Sequence, residues 1–199
     1  MDDRLAPISP HERCSTRRTF LAGSASLGVA AIAGCFDDDS DDVPDPVTID
    51  DDQDCDHCTM AIGQHPGPVG QTHYPDPDDI VGEDRPAQFC SSLCTYTFTF
   101  EQEDAGHDPD VSYLTDYSSV DYAVEEGGDA LEISNHLEDE AFADVEGLML
   151  VVDSDVEGAM GASMIGFTDA SEADDFQAEY GGDLYEHEDM TGELVMSLM

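Results

Sequence analysis

Cys55-Asp56-His57-Cys58-Thr59-Met60 constrains this chain more than any other stretch, because it gathers two thiols, an imidazole and a thioether in adjacent positions. Cysteines three apart can turn both sulfurs toward one point, so the fold has to close a tight turn on a small target. The thioether of Met60 adds a second soft donor that a hard cation does not favour, and soft donors suit Cu(I) and, less exclusively, zinc. A CxxC pair alone also serves disulfide exchange and zinc ribbons; Met60 narrows the choice. A second pair, Cys90 and Cys94, is spaced i, i+4, which on a helix sets both sulfurs on one face.

Composition decides whether such a turn has a core to sit in. Of 199 residues 40% are apolar, enough for one ordinary domain or two small ones. Against that stands a formal net charge of -43, from 48 acidic residues, five arginines and no lysine. Such a balance normally reads as disorder. Here the acids are spread through an apolar-rich chain, and the pattern is that of a folded halophilic protein, at home in molar salt where the Debye length falls to about 3 Å. Nucleic acid is excluded as a partner, since phosphate binding needs clustered cations and only Arg85 remains beyond residue 18.

Residues 1–34 read as an export signal of the twin-arginine lipoprotein type. Arg17-Arg18-Thr19-Phe20-Leu21 leads into an apolar run from Leu21 to Ala33, too short and too rich in Gly, Ala and Ser for a bilayer span. Ile32-Ala33-Gly34-Cys35 matches a lipobox. This makes Cys35 the lipidated first residue of a mature protein anchored on the outer face of the cytoplasmic membrane, and Cys14 is discarded. Residues 35–46, Asp-rich and carrying Pro44 and Pro46, have nothing to bury and read as a disordered acidic tether.

The fold class expected beyond the tether is α+β, as two small tandem ββαβ units at 47–126 and 127–199. In the first, strands are expected at Val69 to Tyr74 and Arg85 to Phe89, with turn signals at Gly63, Pro66, Gly67 and Pro68. Thr95 to Phe100 alternates like a strand, yet Phe89, Leu93, Tyr96 and Phe100 fall on one helical stripe. Helix is the reading taken, capped by Ser91 or Ser92 and ended by Gly106 and Pro109, with a strand from Val111 to Ser118 after it. In the second, Phe142 to Val152 is strand-like but interrupted by Gly147, and Ser163 to Thr168 is a short strand. Asp169-Ala170-Ser171-Glu172 then opens a helix to Tyr180, closed by Gly181-Gly182, and Asp183 to Glu188 is the final strand. The repeated order suggests an internal duplication.

Three chemistries compete for Cys55, Cys58, Cys90 and Cys94. Structural disulfides are allowed outside the cytoplasm, a closed four-sulfur zinc site fits the spacing, and a transient Cu(I) site would use nearby methionines. Met164 lies within a strand and reads as core, whereas Met160, before Gly161 at a turn, is free to be a ligand. His57 reads as an exposed neighbour of the two thiols. Against a dithiol oxidoreductase, Gly63, Pro66 and Gly67 leave little room for a helix starting at the CxxC.

Cys55-x-x-Cys58-x-Met60, the Phe89 junction, Met160-Gly161 and Phe176-x-x-x-Tyr180-Gly181-Gly182 together resemble the nitrous oxide reductase accessory lipoproteins, the NosL family, over residues 47 to 190. The resemblance implies a monomeric, membrane-anchored Cu(I)-binding protein, not an enzyme, that supplies copper for maturation of nitrous oxide reductase in denitrification. It implies partners in that reductase and its maturation machinery, and two ββαβ units similar in topology to organomercurial lyase. The metal positions expected are Cys55, Cys58, Met60 and Met160, with Cys90 and Cys94 a departure from the family pattern. The rivals are a structural zinc-binding interaction module and the dithiol oxidoreductase.

The charge balance generates a direct test. With so little positive charge to offset its acids, the domain is expected to lose structure as salt is diluted, because self-repulsion grows as screening weakens. Circular dichroism and a thermal midpoint that stay unchanged from molar to near-zero salt would refute the halophilic reading.

Overall fold

The computed structural model describes residues 43–128 and 130–199. The export signal, Cys35 and the tether up to residue 42 lie outside the described residues. The fold takes hold of the chain within the stretch expected to be tether. Tyr113 Oη donates to the Pro44 carbonyl at 2.7 Å, and the Gln71 side-chain amide pairs with both the N–H and the carbonyl of Val47. Gln71 is buried, so its amide serves the strap as a neighbouring strand would.

In chain order the elements are β1 (Gly70–His73), a short helix α1 (Pro77–Ile80), β2 (Ala87–Phe89), the helix α2 (Ser92–Ala105) and β3 (Val111–Thr115). There follow β4 (Val124–Glu126), β5 (Leu131–Ile133), β6 (Phe142–Asp144), β7 (Met149–Val152), β8 (Val156–Glu157) and β9 (Met164–Phe167). Helix α3 (Ala170–Tyr180), β10 (Asp183–Glu186) and a last helix, α4 (Gly192–Ser197), complete the chain. The class is α+β. One sheet runs β2-β1-β3-β6 and a second β10-β7-β9. In each, the first strand of a strand-strand-helix-strand run lies in the middle, flanked antiparallel by the other two. The same ββαβ path is thus traced by β1-β2-α2-β3 and by β7-β9-α3-β10.

The helix ends follow local chemistry. The Ser91 hydroxyl accepts from the Cys94 N–H at 3.0 Å, and α2 stops at Gly106, whose φ of 95° is the left-handed conformation that glycine tolerates. Asp169 caps α3 by accepting from Ser171 N–H. Helix α2 is buried on two sides. Cys94 and Phe98 pack with Phe89 and Ile62 in one core, while Leu93, Tyr96 and Phe100 pack with Leu148, Leu150 and Met164 in another. Gly70 of β1 is where the helix comes closest to the sheet, since a Cβ there would strike Thr95 Oγ1 and a Leu114 methyl.

The segment from Phe142 to Val152 is two strands, not one. The 3-10 turn Val145–Gly147, whose Glu146 N–H is bound by the Asp144 carboxylate at 3.0 Å, carries the chain from one sheet to the other. Strand β6 adds to the edge of β3, and β7 begins the second sheet. A third sheet, β4-β5-β8, combines a hairpin with one parallel pairing.

Asp116, at the end of β3, ties the two main sheets together. Its own N–H binds Ala141, Tyr117 N–H binds Gly166, and its buried carboxylate accepts from Thr168 N–H (2.9 Å), Thr168 Oγ1 (2.8 Å) and Ser118 N–H (3.0 Å). Hydrogen bonds to a charged acceptor each contribute about 1.5–3 kcal/mol. Ser92 Oγ accepts a further cross-link from Met164 N–H, at 3.0 Å.

Candidate metal centre

Residues 53–62 fold back on themselves, with Ile62 N–H bound to Gln53, Cys55 N–H to Met60 and Thr59 N–H to Cys55, the last two at 2.8 Å. Thr59 closes the turn with φ at 65°, a left-handed conformation costing a non-glycine residue roughly 1–2 kcal/mol. The turn is pinned to β2 through Asp56. Its N–H donates to the Gln88 carbonyl, and its carboxylate accepts from Gln88 N–H at 2.7 Å and from both terminal nitrogens of Arg85 at 2.7 and 2.8 Å. Arg85 also donates to Glu83 and to the Pro86 carbonyl. The hydrogen bonds to Asp56 raise the guanidinium pKa further above its usual value. Arg85 was legible in the sequence as the lone cation beyond the signal; the Asp between the two cysteines is its partner.

Strand β2 runs directly into Cys90, the N-cap Ser91 and α2, so the second cysteine pair is delivered beside the first. Cys90 precedes the N-cap and Cys94 lies in the first helical turn. The two sulfurs are brought to 3.9 Å by the strand-to-helix turn, and not by sharing a helix face as the spacing led us to expect. Cys58 Sγ lies 3.4 Å from Cys90 Sγ, and all four sulfurs fall within 4.8 Å of one another. Among the described residues this is the one such gathering of Cys, His and carboxylate donors. All four are free thiols.

Cys55, Cys90 and Cys94 are 1%, 0% and 4% exposed, and Cys58 is partly buried. The Cys90 and Cys94 thiols donate toward Cys55 and hold its pKa far below the ordinary thiol range, helped by the Cys58 and Cys90 N–H groups and opposed by burial. Cys90 is driven far up by the same sharing with Cys55 and Cys94, then by burial. Cys94 is pushed up to about 12, by Cys55 first, with burial adding and Cys90 and Ser91 opposing. The protons belong to the cluster as a whole, and each ionisation makes the next one harder. The N-terminus of α2, with no acidic residue in its first turn, adds a favourable field for that negative charge.

Met60 is partly buried against the core that contains the four cysteines. Met160 is 44% exposed at the tip of a hairpin turn closed by two Gly158–Gly161 hydrogen bonds, with Gly161 at φ 89°. Its neighbour Ala159 packs against the cysteine-bearing core. Met164 is buried in β9, as expected. His57, read as exposed, is partly buried, its ring 6.4 Å from that of Phe98 and its Nδ1 enclosed without a hydrogen-bond partner.

Four thiols converge between a pinned loop and a helix N-terminus, with a thioether packed against the same core, in an α+β protein; the cluster is one that could hold a soft metal ion. The chain belongs to the NosL family, whose model matches residues 46–195. It is similar in structure to the crystallised copper chaperone NosL from Shewanella denitrificans, with a TM-score of 0.57 and 26% sequence identity, over 73% of this chain and 94% of that one. No curated protein matches the sequence.

The pinned loop makes a testable demand on Arg85. Arg85→Gln leaves the Asp56 carboxylate partly buried without its bidentate partner, and is expected to lower stability by about 1–3 kcal/mol. Because the pair is partly buried, much of that loss should persist in molar salt. Chemical unfolding of the variant at high and low salt reads it out, and unchanged midpoints would remove the clamp from the account.

Proposed function

We propose that this protein is a Cu(I) carrier and not an enzyme, anchored outside the cytoplasmic membrane through Cys35 and delivering copper for maturation of nitrous oxide reductase. The observation that carries the reading is the meeting of four sulfurs within 4.8 Å in a core. Sulfur donors select soft cations, and Cu(I) is held by few of them, which leaves a path for an acceptor's donor to enter. Membership of the NosL family and the likeness to a crystallised copper chaperone support the cargo. The lipobox at Cys35, the family resemblance and the acidic surface support the location, the target and the halophilic setting.

One observation favours zinc as a second reading. Zn–S bonds of about 2.3 Å place the sulfurs of a tetrahedral site about 3.8 Å apart, and the observed separations of 3.4 and 3.9 Å lie on either side of that value. The two readings differ in what the methionines do. For the carrier, Cys55→Ser, Cys90→Ser and Cys94→Ser each lower Cu(I) affinity by about tenfold or more, and Met60→Leu and Met160→Leu lower it by less. A competition titration with a Cu(I) chelator, run without oxygen, gives the order. Full affinity in Cys55→Ser would sink the carrier reading. Zinc that stays with the purified protein, lost on substitution of any one cysteine and indifferent to both methionines, would establish the module instead.

The anchor has its own test. Cys35→Ala is expected to release the protein from the membrane fraction or to block its processing, and unchanged retention and processing would remove the lipobox from the proposal.

A further inference from the structure

The four sulfurs are not equivalent toward solvent. Cys90 and Cys94 are fixed at the β2–α2 junction, where Ser91 caps the helix through Cys94 N–H, and both are buried. Cys55 is buried at the base of the loop, its backbone paired with Met60 and Thr59. Cys58 lies at the far side of the same turn, two residues beyond the clamped Asp56 and next to the exposed Thr59. It is the one member of the cluster that is not fully buried, yet its Sγ touches Cys90 Sγ at 3.4 Å. A donor arriving from outside therefore meets Cys58 before any other thiol of the cluster.

We infer that Cys58 is the handover residue of this centre: it stays with Cu(I) while an incoming thiolate or thioether displaces Cys55, Cys90 and Cys94, which hold the ion at rest. The inference rests on the copper-carrier reading and assigns separate duties to sulfurs that the spacing alone makes alike. In the exchange, a bond from the incoming sulfur to Cu(I) forms as bonds to the buried thiolates break. The freed thiolates regain from water the protons that metal binding displaced, copper remains Cu(I), and no electron changes hands. Cys58 is suited to bridge the two states because it reaches both the buried Cys90 and the surface. The buried three cannot follow the ion outward without breaking the Ser91 cap or opening the core around Phe89 and Phe98, whose rings pack at 5.1 Å.

Two measurements on the full chain test this. In the first, protein loaded with Cu(I) in molar salt without oxygen is mixed with bicinchoninate, a chromophoric Cu(I) chelator, and the transfer rate is followed as a function of chelator concentration. Cys58→Ser is expected to slow transfer by about tenfold or more, while its equilibrium affinity falls less than that of Cys90→Ser. Transfer at the native rate or faster in Cys58→Ser overturns the inference while leaving the carrier reading intact; no copper binding by the native protein overturns both. In the second, the metal-free protein is treated with a bulky maleimide and the modified peptides are mapped by mass spectrometry. Cys58 is expected to be labelled ahead of Cys55, Cys90 and Cys94, and equal or faster labelling of any of those three overturns the assignment.

Discussion

The burial of α2 on two sides is the constraint on which the rest of this molecule depends. Most helices of a small α+β domain give one face to a sheet and the other to water. Here the beginning of α2 gives one face to the sheet that carries Phe89 and the other to the sheet that carries Leu150 and Met164. Its N-terminus is consequently held from both directions, and the cysteine at its first turn is as immobile as any core residue. The Ser92–Met164 and Asp116–Thr168 hydrogen bonds add direction to what apolar packing alone would leave free to slide.

Against that fixed end, the cysteine loop is held by a single ion pair. Beyond the export signal the sequence contains one arginine and no lysine, and the fold places that arginine on the carboxylate between the two loop cysteines. An exposed pair would contribute little in molar salt, where screening is nearly complete at a few ångströms. This one is partly buried, bidentate and seconded by Gln88 N–H, so salt screens it less than it would an exposed pair. The same carboxylate fixes the spacing between loop and strand, and with it the approach of Cys58 to Cys90.

Much of this was legible in the sequence, and the parts that were not share a physical cause. Strands β1, β2, β3, β9 and β10 and helix α3 lie within or close to the expected segments because caps, glycines and alternation are local signals. The ambiguity at Thr95 to Phe100 came from the two-sided burial of α2: a helix with apolar contacts all round its first turns shows no clean period. Gly147 marked the interruption between β6 and β7, but that the two strands join different sheets, the β4-β5-β8 sheet and α4 escaped notice because they depend on partners far along the chain. Strand β8 is only Val156–Glu157, and its pairing with Leu131–Glu132 leaves no mark on its own residues. At the metal centre, residue types and the CxxC were readable, but the separations were not. The cap expected at Ser91 or Ser92 already started the helix after Cys90, but nothing in the sequence sets the distance between the two cysteine pairs, and nothing near Cys55 reveals that Arg85 will clamp its neighbour.

The strap at Pro44 sets the length of a leash. With Cys35 lipidated, as proposed, the chain from that residue to the Tyr113 hydrogen bond at Pro44 spans at most about 30 Å when fully extended, at about 3.3–3.6 Å per residue. Under that proposal the folded body would stay within that reach of the membrane. For an acceptor tethered to the same bilayer, such confinement would replace a search through bulk volume with one across a surface. A weak protein–protein interface would then be enough for the proposed copper transfer, since the lipid would keep the two partners together and the contact would have only to orient them.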